Sequence, residues 1–290
     1  MKKILITGAN GLLGQSLIKY FSGYYKVYAT SYAEPQTKLA GVEYLNIDLA
    51  REWNACKFLP AVDVIVHAAQ SSKYRDFPDK AMDIFSVNTD STARLLDFAS
   101  KVGAAHFIYF STGGLYKTSE QALNEQSELL PINELNYHFA SKLCGEVLAN
   151  TYKDEMIISI VRPFFIYGEG QRASMLIPRL INQIKMEQEI FIDGENGLRI
   201  NPVHALDGCR FVEKLVNAAL PGVFNLAGPE ILTLKDICLK IGTLCNKKPV
   251  FSYKKNPIND LFSSTEKMTS IDAAPQIGFS EGIKGMIHDN

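Results

Sequence analysis

The sequence KILITGANGLLG at residues 3–14 decides the fold class of this chain. It begins with an apolar run of strand length and continues with glycines at positions 8, 11 and 14. Glycines with this spacing suit a tight turn that lets the backbone approach a pyrophosphate, and the N-terminus of the following helix attracts the negative charge. The stretch therefore predicts a strand, a dinucleotide-binding turn and a helix. A purely structural glycine turn is the alternative interpretation.

The composition of the whole chain argues against several classes of protein. The 290 residues are 47% hydrophobic, which is sufficient for one large α/β domain or for a main domain with a smaller lobe. A net charge of −1 gives no electrostatic reason to expect a nucleic-acid or membrane partner. The five cysteines are odd in number and lack a C-x-x-C pair, so neither a disulfide framework nor a metal site is indicated. We expect a soluble protein of a reducing cytoplasm.

Short apolar runs alternate with longer helical patterns, which is typical of βαβ units around a parallel sheet. The predicted strands are Lys3–Thr7, Lys26–Thr30, Val42–Asn46, Val64–His67, Phe107–Ser111 and Ile157–Arg162. The predicted helices are Leu12–Ser22, Lys80–Lys101, Tyr137–Tyr152, Met175–Lys185, Leu206–Leu220 and Leu234–Leu244. The sequence thus predicts an α/β fold, a Rossmann doubly wound parallel sheet with a smaller C-terminal substrate lobe.

A second informative stretch is NYHFASKLCGE at residues 136–146. It resembles the active-site helix of the extended short-chain dehydrogenase/reductase family, in which Tyr-x-x-x-Lys is followed by an acid four residues after the lysine. Lys142 and Glu146 match this pattern, but His138 stands where the family has its acid/base tyrosine. Residues i and i+4 share a helix face, so His138 points with Lys142, whereas Tyr137 is rotated about 140° away from it.

The resemblance extends from residue 3 to about residue 285 and implies an NAD(P)-dependent epimerase, dehydratase or 4-keto reductase that acts on a nucleotide sugar. It implies that Lys142 binds the nicotinamide ribose and is catalytic together with His138. Asn88 and Thr112 match further catalytic positions, and the Thr112 hydroxyl would also bind the substrate oxygen. Arg199 would bind the substrate's diphosphate, because a guanidinium suits bidentate phosphate contacts.

Further matches to the family define a predicted cofactor site. The position of Asp48 contacts the adenine in the family, the small residues after His67 let the cofactor pass, and the backbone near Pro163 meets the nicotinamide amide. Structural alternatives are that Asp48 is a helix N-cap and His67 a hydrogen-bonded core histidine. The predicted cofactor-binding residues are Gly8, Asn10, Gly11, Leu12, Gly14, Ser31, Asp48, Leu49, Ala68, Ala69, Lys142 and Pro163.

The choice between NAD and NADP depends on the end of the second strand, where an NAD enzyme usually has an acid for the ribose 2′-hydroxyl. Here that position is Ser31, and Glu34 follows three residues later. A hydroxyl tolerates a 2′-phosphate better than a carboxylate does, although no arginine follows to bind one. We therefore expect NAD or NADP as the cofactor, with a slight preference for NADP.

The resemblance also implies a domain organisation and an assembly. Residues 1–165 would form the NAD(P)-binding domain, to which the chain returns at about 198–228, and residues 166–197 and 229–290 would form the substrate lobe. Relatives commonly dimerise through a four-helix bundle, here built from the helices predicted at 80–101 and 137–152. We expect a homodimer, for which the outer faces of these helices would need apolar residues.

Three hypotheses address the replaced tyrosine. In the first, the chain is an enzyme whose proton transfer passes through His138, directly or through water. In the second, it is a catalytically impaired relative that binds NAD(P) as a sensor, regulator or partner subunit. In the third, a one-residue bulge in the helix brings Tyr137 into the place of the missing phenol. The matches at Thr112, Asn88 and Lys142 favour the first hypothesis, because a site without catalysis has no physical need for them.

Overall fold

The structure is a computed structural model that describes residues 1–35 and 37–288. These residues form two compact units. The first unit comprises Met1–Leu115, Glu128–Arg162 and Val212–Phe224. The second comprises Tyr116–Ser127, Pro163–Phe211 and the chain from Asn225 onward.

Strands and helices alternate along most of the described chain. The strands are β1 (Lys3–Thr7), β2 (Lys26–Ser31), β3 (Val42–Asn46), β4 (Val64–His67), β5 (His106–Phe110), β6 (Ile157–Pro163), β7 (Ile166–Tyr167), β8 (Glu189–Asp193), β9 (Arg199–Ile200), β10 (Val203–His204), β11 (Gly222–Leu226), β12 (Leu232–Thr233) and β13 (Val250–Lys254). The helices are α1 (Leu12–Phe21), α2 (Ala55–Phe58), α3 (Ala81–Phe85), α4 (Ser91–Val102), α5 (Tyr137–Asn150), α6 (Leu176–Lys185), α7 (Ala205–Ala218), α8 (Leu234–Cys245), α9 (Glu266–Ser270), α10 (Phe279–Gly282) and α11 (Lys284–His288).

The first unit is organised around a seven-stranded sheet with the order β11-β6-β5-β4-β1-β2-β3. From β6 to β3 every neighbouring pair of strands is parallel, which confirms the predicted doubly wound sheet. Strands β4 and β5 are buried along their whole length, as expected of a parallel sheet covered on both faces. The chain moves outward in opposite directions from β1 and β4. Their carboxyl ends therefore flank a topological switch point, where such sheets usually bind ligands.

The local sequence explains why helices form at the two informative stretches. In α1 the apolar residues Leu17, Ile18 and Phe21 recur at helical spacing and are buried. Helix α5 begins after Asn136, whose side-chain oxygen accepts a hydrogen bond from Phe139 N at 2.9 Å. Both stretches consequently enter their helices at defined positions.

The helix predicted at Lys80–Lys101 is not one regular α-helix, and this corrects the prediction. It consists of α3, a π-helical turn at Ser86–Asp90 and α4, with Asn88 in the middle of the turn. The Thr92 hydroxyl donates a hydrogen bond to the Asn88 carbonyl at 2.8 Å. Hydroxyls that bond carbonyls one turn back compete with helical hydrogen bonds, and π-turns are frequent at functional sites.

Helix α5, by contrast, is α-helical from its first residue, Tyr137, to its last, Asn150. The hypothesis that a bulge in this helix brings Tyr137 into the place of the missing phenol is therefore wrong. The Tyr137 ring instead stacks on Phe77, with 4.7 Å between ring centroids and 19° between ring planes.

The second unit has its own apolar core, which includes Ile181, Ile192, Ile241 and Phe279. Helices α6 and α8 pack against each other, and β8 pairs with β13 in parallel. The three helices predicted after residue 163 are present close to their predicted bounds, as α6, α7 and α8. Among the residues that the structure describes, no helix is both long and apolar enough to span a membrane.

Candidate active site

The glycine turn lies at the switch point between β1 and β4, and its geometry requires glycine. Gly8 has a φ of +78°, and a Cβ at this position would lie 2.9 Å from the Ala69 Cα after β4. A Cβ at Gly14 would overlap the Gly8 carbonyl oxygen. The predicted cofactor residues Gly8, Gly14 and Ala69 are therefore brought together, with Gly11 and Ala68 beside them in sequence.

The first turn of α1, which begins at Leu12, is open to a negatively charged group. In the described part of the chain no side chain caps this helix, whose N-cap is Gly11, and its first turn carries no acid. The backbone N–H groups at such an end bind phosphate oxygens. The structure thus fits a dinucleotide pyrophosphate at this turn.

Two further predicted cofactor residues meet at one carbonyl beside the glycine turn. The Asn10 amide donates to the Ala33 carbonyl at 2.9 Å, and the Ser31 hydroxyl donates to the same oxygen at 2.6 Å. These bonds join the glycine turn to the end of β2. The Ser31 proton is therefore already used within the protein, and only the hydroxyl oxygen remains as an acceptor.

Asp48 and Leu49 follow β3 at the same edge of the sheet. The Asp48 carboxylate accepts a hydrogen bond from Ala50 N at 3.0 Å and forms an ion pair with Arg51 at 3.2 Å. Leu49 belongs to the apolar core of the first unit. Asp48 therefore accepts a hydrogen bond within a local turn and is not a helix N-cap, since the next helix, α2, has Asn54 as its N-cap.

His67, at the end of β4, is a hydrogen-bonded core histidine, as expected. Its Nδ1 lies 2.7 Å from the Thr7 hydroxyl and its Nε2 lies 3.0 Å from the Thr92 hydroxyl. Complete burial, and secondarily the charge of Lys142, lower the pKa of His67 to about 3. The ring is held neutral and ties β4 to β1 and α4.

Asn88, which was predicted to be catalytic, has protein partners for both ends of its amide. Its Oδ1 accepts a hydrogen bond from Ser71 N at 2.9 Å, and its Nδ2 donates to the Ser141 hydroxyl at 2.9 Å. The residue is completely buried. Because this amide is used inside the protein, we reassign Asn88 as a positioning residue that joins the loop after β4 to α5.

Lys142 is buried with only 2% of its surface exposed, and its Nζ lies 4.6 Å from the centre of the Tyr109 ring. The acid one turn later, Glu146, is bound to Arg162. Burial lowers the pKa of Lys142 to about 7, and the charge of Glu146 opposes this shift in part. The structure therefore contains a buried amine that changes its charge near neutral pH.

His138 is placed one turn before Lys142, as the helical spacing predicts. Its Nδ1 is buried and has no hydrogen-bond partner among the described residues. Burial, and to a lesser extent the charge of Lys142, lower the pKa of His138 to about 4. The imidazole is thus neutral at physiological pH, and neutral imidazole is a much weaker proton donor than imidazolium.

The loop after β5 places Thr112 beside the start of α5. The Thr112 hydroxyl accepts a hydrogen bond from Gly114 N at 3.1 Å. A Cβ at Gly114 would lie 2.6 Å from the ring of Phe139, which is the residue after His138. Next to Thr112, the buried Ser111 hydroxyl has no hydrogen-bond partner among the described residues. Sequence analysis did not select Ser111, although its motif contains both hydroxyls.

Two predicted site residues belong to the second unit. Pro163 ends β6. Arg199 does not present a free guanidinium: its Nε and Nη2 lie 2.8 and 2.6 Å from Asp260 Oδ2, and its Nη2 also donates to the Glu120 carbonyl at 3.2 Å. The predicted diphosphate contact would therefore have to compete with Asp260.

A cavity of about 390 Å³ lies at the start of α5. Its lining includes His138, and three of its residues come from the irregular segment after β4: Tyr74, Arg75 and Phe77. Sequence analysis missed this segment, because it carries no motif and has no regular periodicity. Its proximity to α5 depends on tertiary packing alone.

A glycine turn at the switch point of a doubly wound sheet is where such proteins bind dinucleotides, so the fold and the site define a dinucleotide-binding α/β protein. The chain belongs to the NAD dependent epimerase/dehydratase family, whose model matches residues 4–227. Membership confirms the resemblance to extended short-chain dehydrogenases/reductases, and it supports an enzyme with a nicotinamide cofactor.

The sequence identity between this chain and individual relatives is low. The chain is 24% identical over 257 residues to a dTDP-4-dehydro-6-deoxy-D-allose reductase of a Streptomyces species, covering 81% of this chain and 79% of that protein. It is 27% identical over 222 residues to the GDP-6-deoxy-D-talose 4-dehydrogenase of Aggregatibacter actinomycetemcomitans, covering 74% and 70%. Its fold matches UDP-glucuronic acid 4-epimerase from Bacillus cereus, solved with UDP-glucuronic acid and NAD, with a TM-score of 0.85, 23% identity, and coverage of 97% of this chain and 96% of that chain.

Proposed function

We propose that this protein is an NAD(P)-dependent epimerase, dehydratase or 4-keto reductase that acts on a nucleotide sugar. One observation carries the proposal: the glycine turn at the switch point and the buried Lys142 belong to the same unit, in the order that family members use. The relatives support the substrate class, since the two similar enzymes are named for dTDP- and GDP-linked sugars and the solved epimerase holds a UDP-linked sugar.

The nicotinamide cofactor, when bound, supplies hydride transfer to and from a sugar carbon. The N–H groups of the turn at Gly11 and Leu12 would bind its pyrophosphate. Lys142 would bind the nicotinamide ribose, and Asp48, Leu49, Ala68 and Pro163 would line the remainder of the site. Asn10 and Ser31 would hold the glycine turn next to the end of β2, because both donate to the Ala33 carbonyl.

We propose NAD rather than NADP as the bound dinucleotide. The expectation of NADP depended on the Ser31 hydroxyl, which donates its proton to Ala33 and so has no proton left to donate to a 2′-phosphate. The solved epimerase with the matching fold binds NAD. A measured preference for NADPH of tenfold or more would overturn this choice.

Within the substrate site, Thr112 would donate a hydrogen bond to the reacting sugar oxygen, where negative charge develops. His138 occupies the acid/base position as a neutral imidazole, which can accept a proton or a hydrogen bond. Arg199 would reach a diphosphate only by exchanging its contacts with Asp260. The domain boundaries at 165, 198 and 228, the homodimer and the cytoplasmic location remain predictions.

The experiment that tests this proposal is a calorimetric titration of the purified protein with NADH and with NADPH, repeated on Lys142→Met. We expect binding that weakens in the variant, because the contact to the ribose is removed. Nucleotide sugars are then supplied to the wild type with the preferred cofactor, and products are identified by mass spectrometry. If neither dinucleotide binds after removal of co-purified cofactor, the proposal is overturned. If a dinucleotide binds but no sugar is converted, the alternative function of a cofactor-binding sensor or regulator replaces it.

A further inference from the structure

The ring of Tyr74 packs against the ring of His138, with 4.9 Å between ring centroids and 42° between ring planes. Tyr74 is half-buried and lies in the irregular segment after β4. Both rings line the cavity of about 390 Å³ at the start of α5. A phenol is therefore present beside the position at which the family has its tyrosine, although it comes from another part of the chain.

The backbone that leads into Tyr74 is held by a network of hydrogen bonds. The Ser71 hydroxyl donates to Asp83 Oδ1 at 2.6 Å, and Lys73 Nζ donates to Asp83 Oδ2 at 2.8 Å. Lys73 N in turn donates to the Ser71 hydroxyl at 3.1 Å. One carboxylate on α3 thus fixes both the start of this segment and the residue directly before Tyr74.

Asn88 connects this segment to the active-site helix. Its amide accepts from Ser71 N and donates to the Ser141 hydroxyl, and that hydroxyl donates to the His138 carbonyl at 2.7 Å. The side chain in the π-helical turn therefore bridges the segment of Tyr74 and the helical turn of His138. An asparagine suits this position because its amide offers an acceptor to the segment and a donor to the helix.

Two phenols line the cavity, and among the described residues Tyr74 is the one whose ring packs on His138. Tyr137 also lines the cavity, but its ring stacks on Phe77 and lies on a different face of α5 from His138 and Lys142. Tyr74 has the ring contact with His138 itself. The two tyrosines thus form a natural comparison, because the same change can be made at each within one cavity.

We propose that Tyr74 supplies the phenolic proton of the reaction, in the place of the tyrosine that α5 lacks, and that His138 positions its ring. This inference rests on the proposed function. In the direction of reduction, the substrate carbonyl carbon gains a hydride from the reduced nicotinamide and its oxygen takes the Tyr74 proton. The resulting alcohol leaves, and the Tyr74 phenolate regains a proton from water; oxidation follows the same path in reverse. A neutral imidazole is a poor proton donor, which is why a second group is needed.

The test compares Tyr74→Phe with Tyr137→Phe in the full-length protein. We expect turnover of the nucleotide sugar to fall roughly 10²–10⁴-fold in Tyr74→Phe, the usual loss when acid/base assistance is removed, and to change less than threefold in Tyr137→Phe. Dinucleotide affinity and melting temperature should match the wild type in both variants. Equal losses in the two variants, or a Tyr74→Phe variant of full activity, overturn the proposal.

A rescue experiment separates proton transfer from a structural role of Tyr74. If its phenol substitutes for the missing tyrosine, adding His138→Tyr to the Tyr74→Phe variant should raise turnover at least tenfold above that of Tyr74→Phe alone. A merely structural Tyr74 would not be rescued in this way, and an unrescued double variant would contradict the proton-donor role.

A spectroscopic readout tests the inference without turnover. In protein carrying ¹³C at tyrosine Cζ, each of the two resonances is assigned by its loss in the Phe variant. We expect NADH to shift the Tyr74 resonance and to leave the Tyr137 resonance in place. A shift of both resonances or of neither overturns the inference. A wild type that binds NADH and converts no sugar overturns the proposed function instead, so the two failures are distinguishable.

Discussion

Glu146 lies one helical turn after Lys142, but its carboxylate is bound by Arg162, with Nε at 2.9 Å and Nη2 at 2.6 Å. Both side chains are almost fully buried, at 7% and 6% exposure. Since Arg162 lies on β6, the pair fixes α5 to the sheet. In the described residues no carboxylate forms an ion pair with Lys142. The pKa of its amine therefore stays low, at about 7.

Removing one partner of the Glu146–Arg162 pair should destabilise the protein more than removing both. Glu146→Gln should lower the free energy of unfolding by roughly 3–5 kcal/mol, because a buried guanidinium loses its counter-charge. The double variant Glu146→Leu/Arg162→Met should lose much less, since both charges are removed. Urea unfolding measures both. Asp97→Asn is the control, because its bond to Lys101 at 2.6 Å is on the surface and its loss should have no measurable effect. A double variant as unstable as Glu146→Gln would contradict this account.

Lys142→Met should stabilise the protein while it weakens dinucleotide binding. The pKa of Lys142 falls from 10.5 to about 7 on folding, so the unfolded chain binds more protons between these values and the folded state becomes more stable as pH rises through this window. At pH near 7 the variant should be more stable than the wild type, because burying an ammonium group costs free energy that an apolar side chain does not lose. Its stability should also change less than that of the wild type between neutral pH and pH of about 9. Denaturant unfolding at the two pH values checks both expectations, and a variant less stable than the wild type would refute them.

Acid should destabilise the protein through its buried histidines. The pKa of His67 is lowered to about 3 and those of His106 and His138 to about 4, in each case mainly by burial. Because the unfolded chain takes up these protons first, stability is lost as pH falls from about 6.5 toward 4. His138→Tyr should remove roughly 3 kcal/mol of this loss, at 1.4 kcal/mol for each unit of pKa difference. Melting curves between neutral pH and about pH 5 should therefore separate the variant from the wild type. Identical pH dependence would contradict this account, because it would mean that folding does not lower the pKa of His138.

The glycine turn should tolerate no side chain at position 14. Gly14→Ala places a methyl group on the Gly8 carbonyl oxygen, so the turn must move. Dinucleotide affinity should fall roughly 5- to 150-fold if this displacement costs roughly 1–3 kcal/mol of binding free energy. Gly23→Ala is the control, because a Cβ there meets nothing within 4 Å. Calorimetry on both variants measures the difference. Equal affinity in the two variants would mean that the turn does not bind the cofactor.

The predicted homodimer would associate through an apolar surface on helices α3 and α5. Helices α3 and α5 pack together and expose Met82, Phe85 and Val147, at 69%, 43% and 60% of their surfaces. Such an apolar face favours association, so Val147→Lys should convert a dimer into a monomer in sedimentation equilibrium. Ile132→Lys, on an even more exposed residue outside these helices, should leave the assembly unchanged. A wild type of monomeric mass would refute the dimer.

The local patterns of the sequence were sufficient for much of the fold. The glycine turn, the parallel strands of the βαβ units and the helix that carries Lys142 follow from contacts within a few residues or from the regular burial of apolar side chains. The helix around Asn88 was predicted too simply, because its π-turn depends on hydroxyls that bond backbone carbonyls, a choice that periodicity does not record.

The partners of the site residues were not predictable in this way. Arg199 was predicted to bind a diphosphate, but it pairs with Asp260, which lies 61 residues away in sequence. Asn88 was predicted to be catalytic, but its amide joins Ser71 to Ser141. In both cases the residue was selected from its type and motif, whereas the partner that uses its hydrogen bonds lies in a distant segment.

The sequence by itself determined the fold class, the family and the replacement of the acid/base tyrosine by His138, because these depend on residue type and on spacing along one turn or one helix. Only the tertiary structure decided the surroundings of that histidine: its ring packs against Tyr74, Lys142 one turn later is buried, and Glu146 is bound to Arg162. The reason is physical, since burial sets the charge of each group and packing between distant segments sets its neighbours, and neither is encoded at a fixed spacing in the chain.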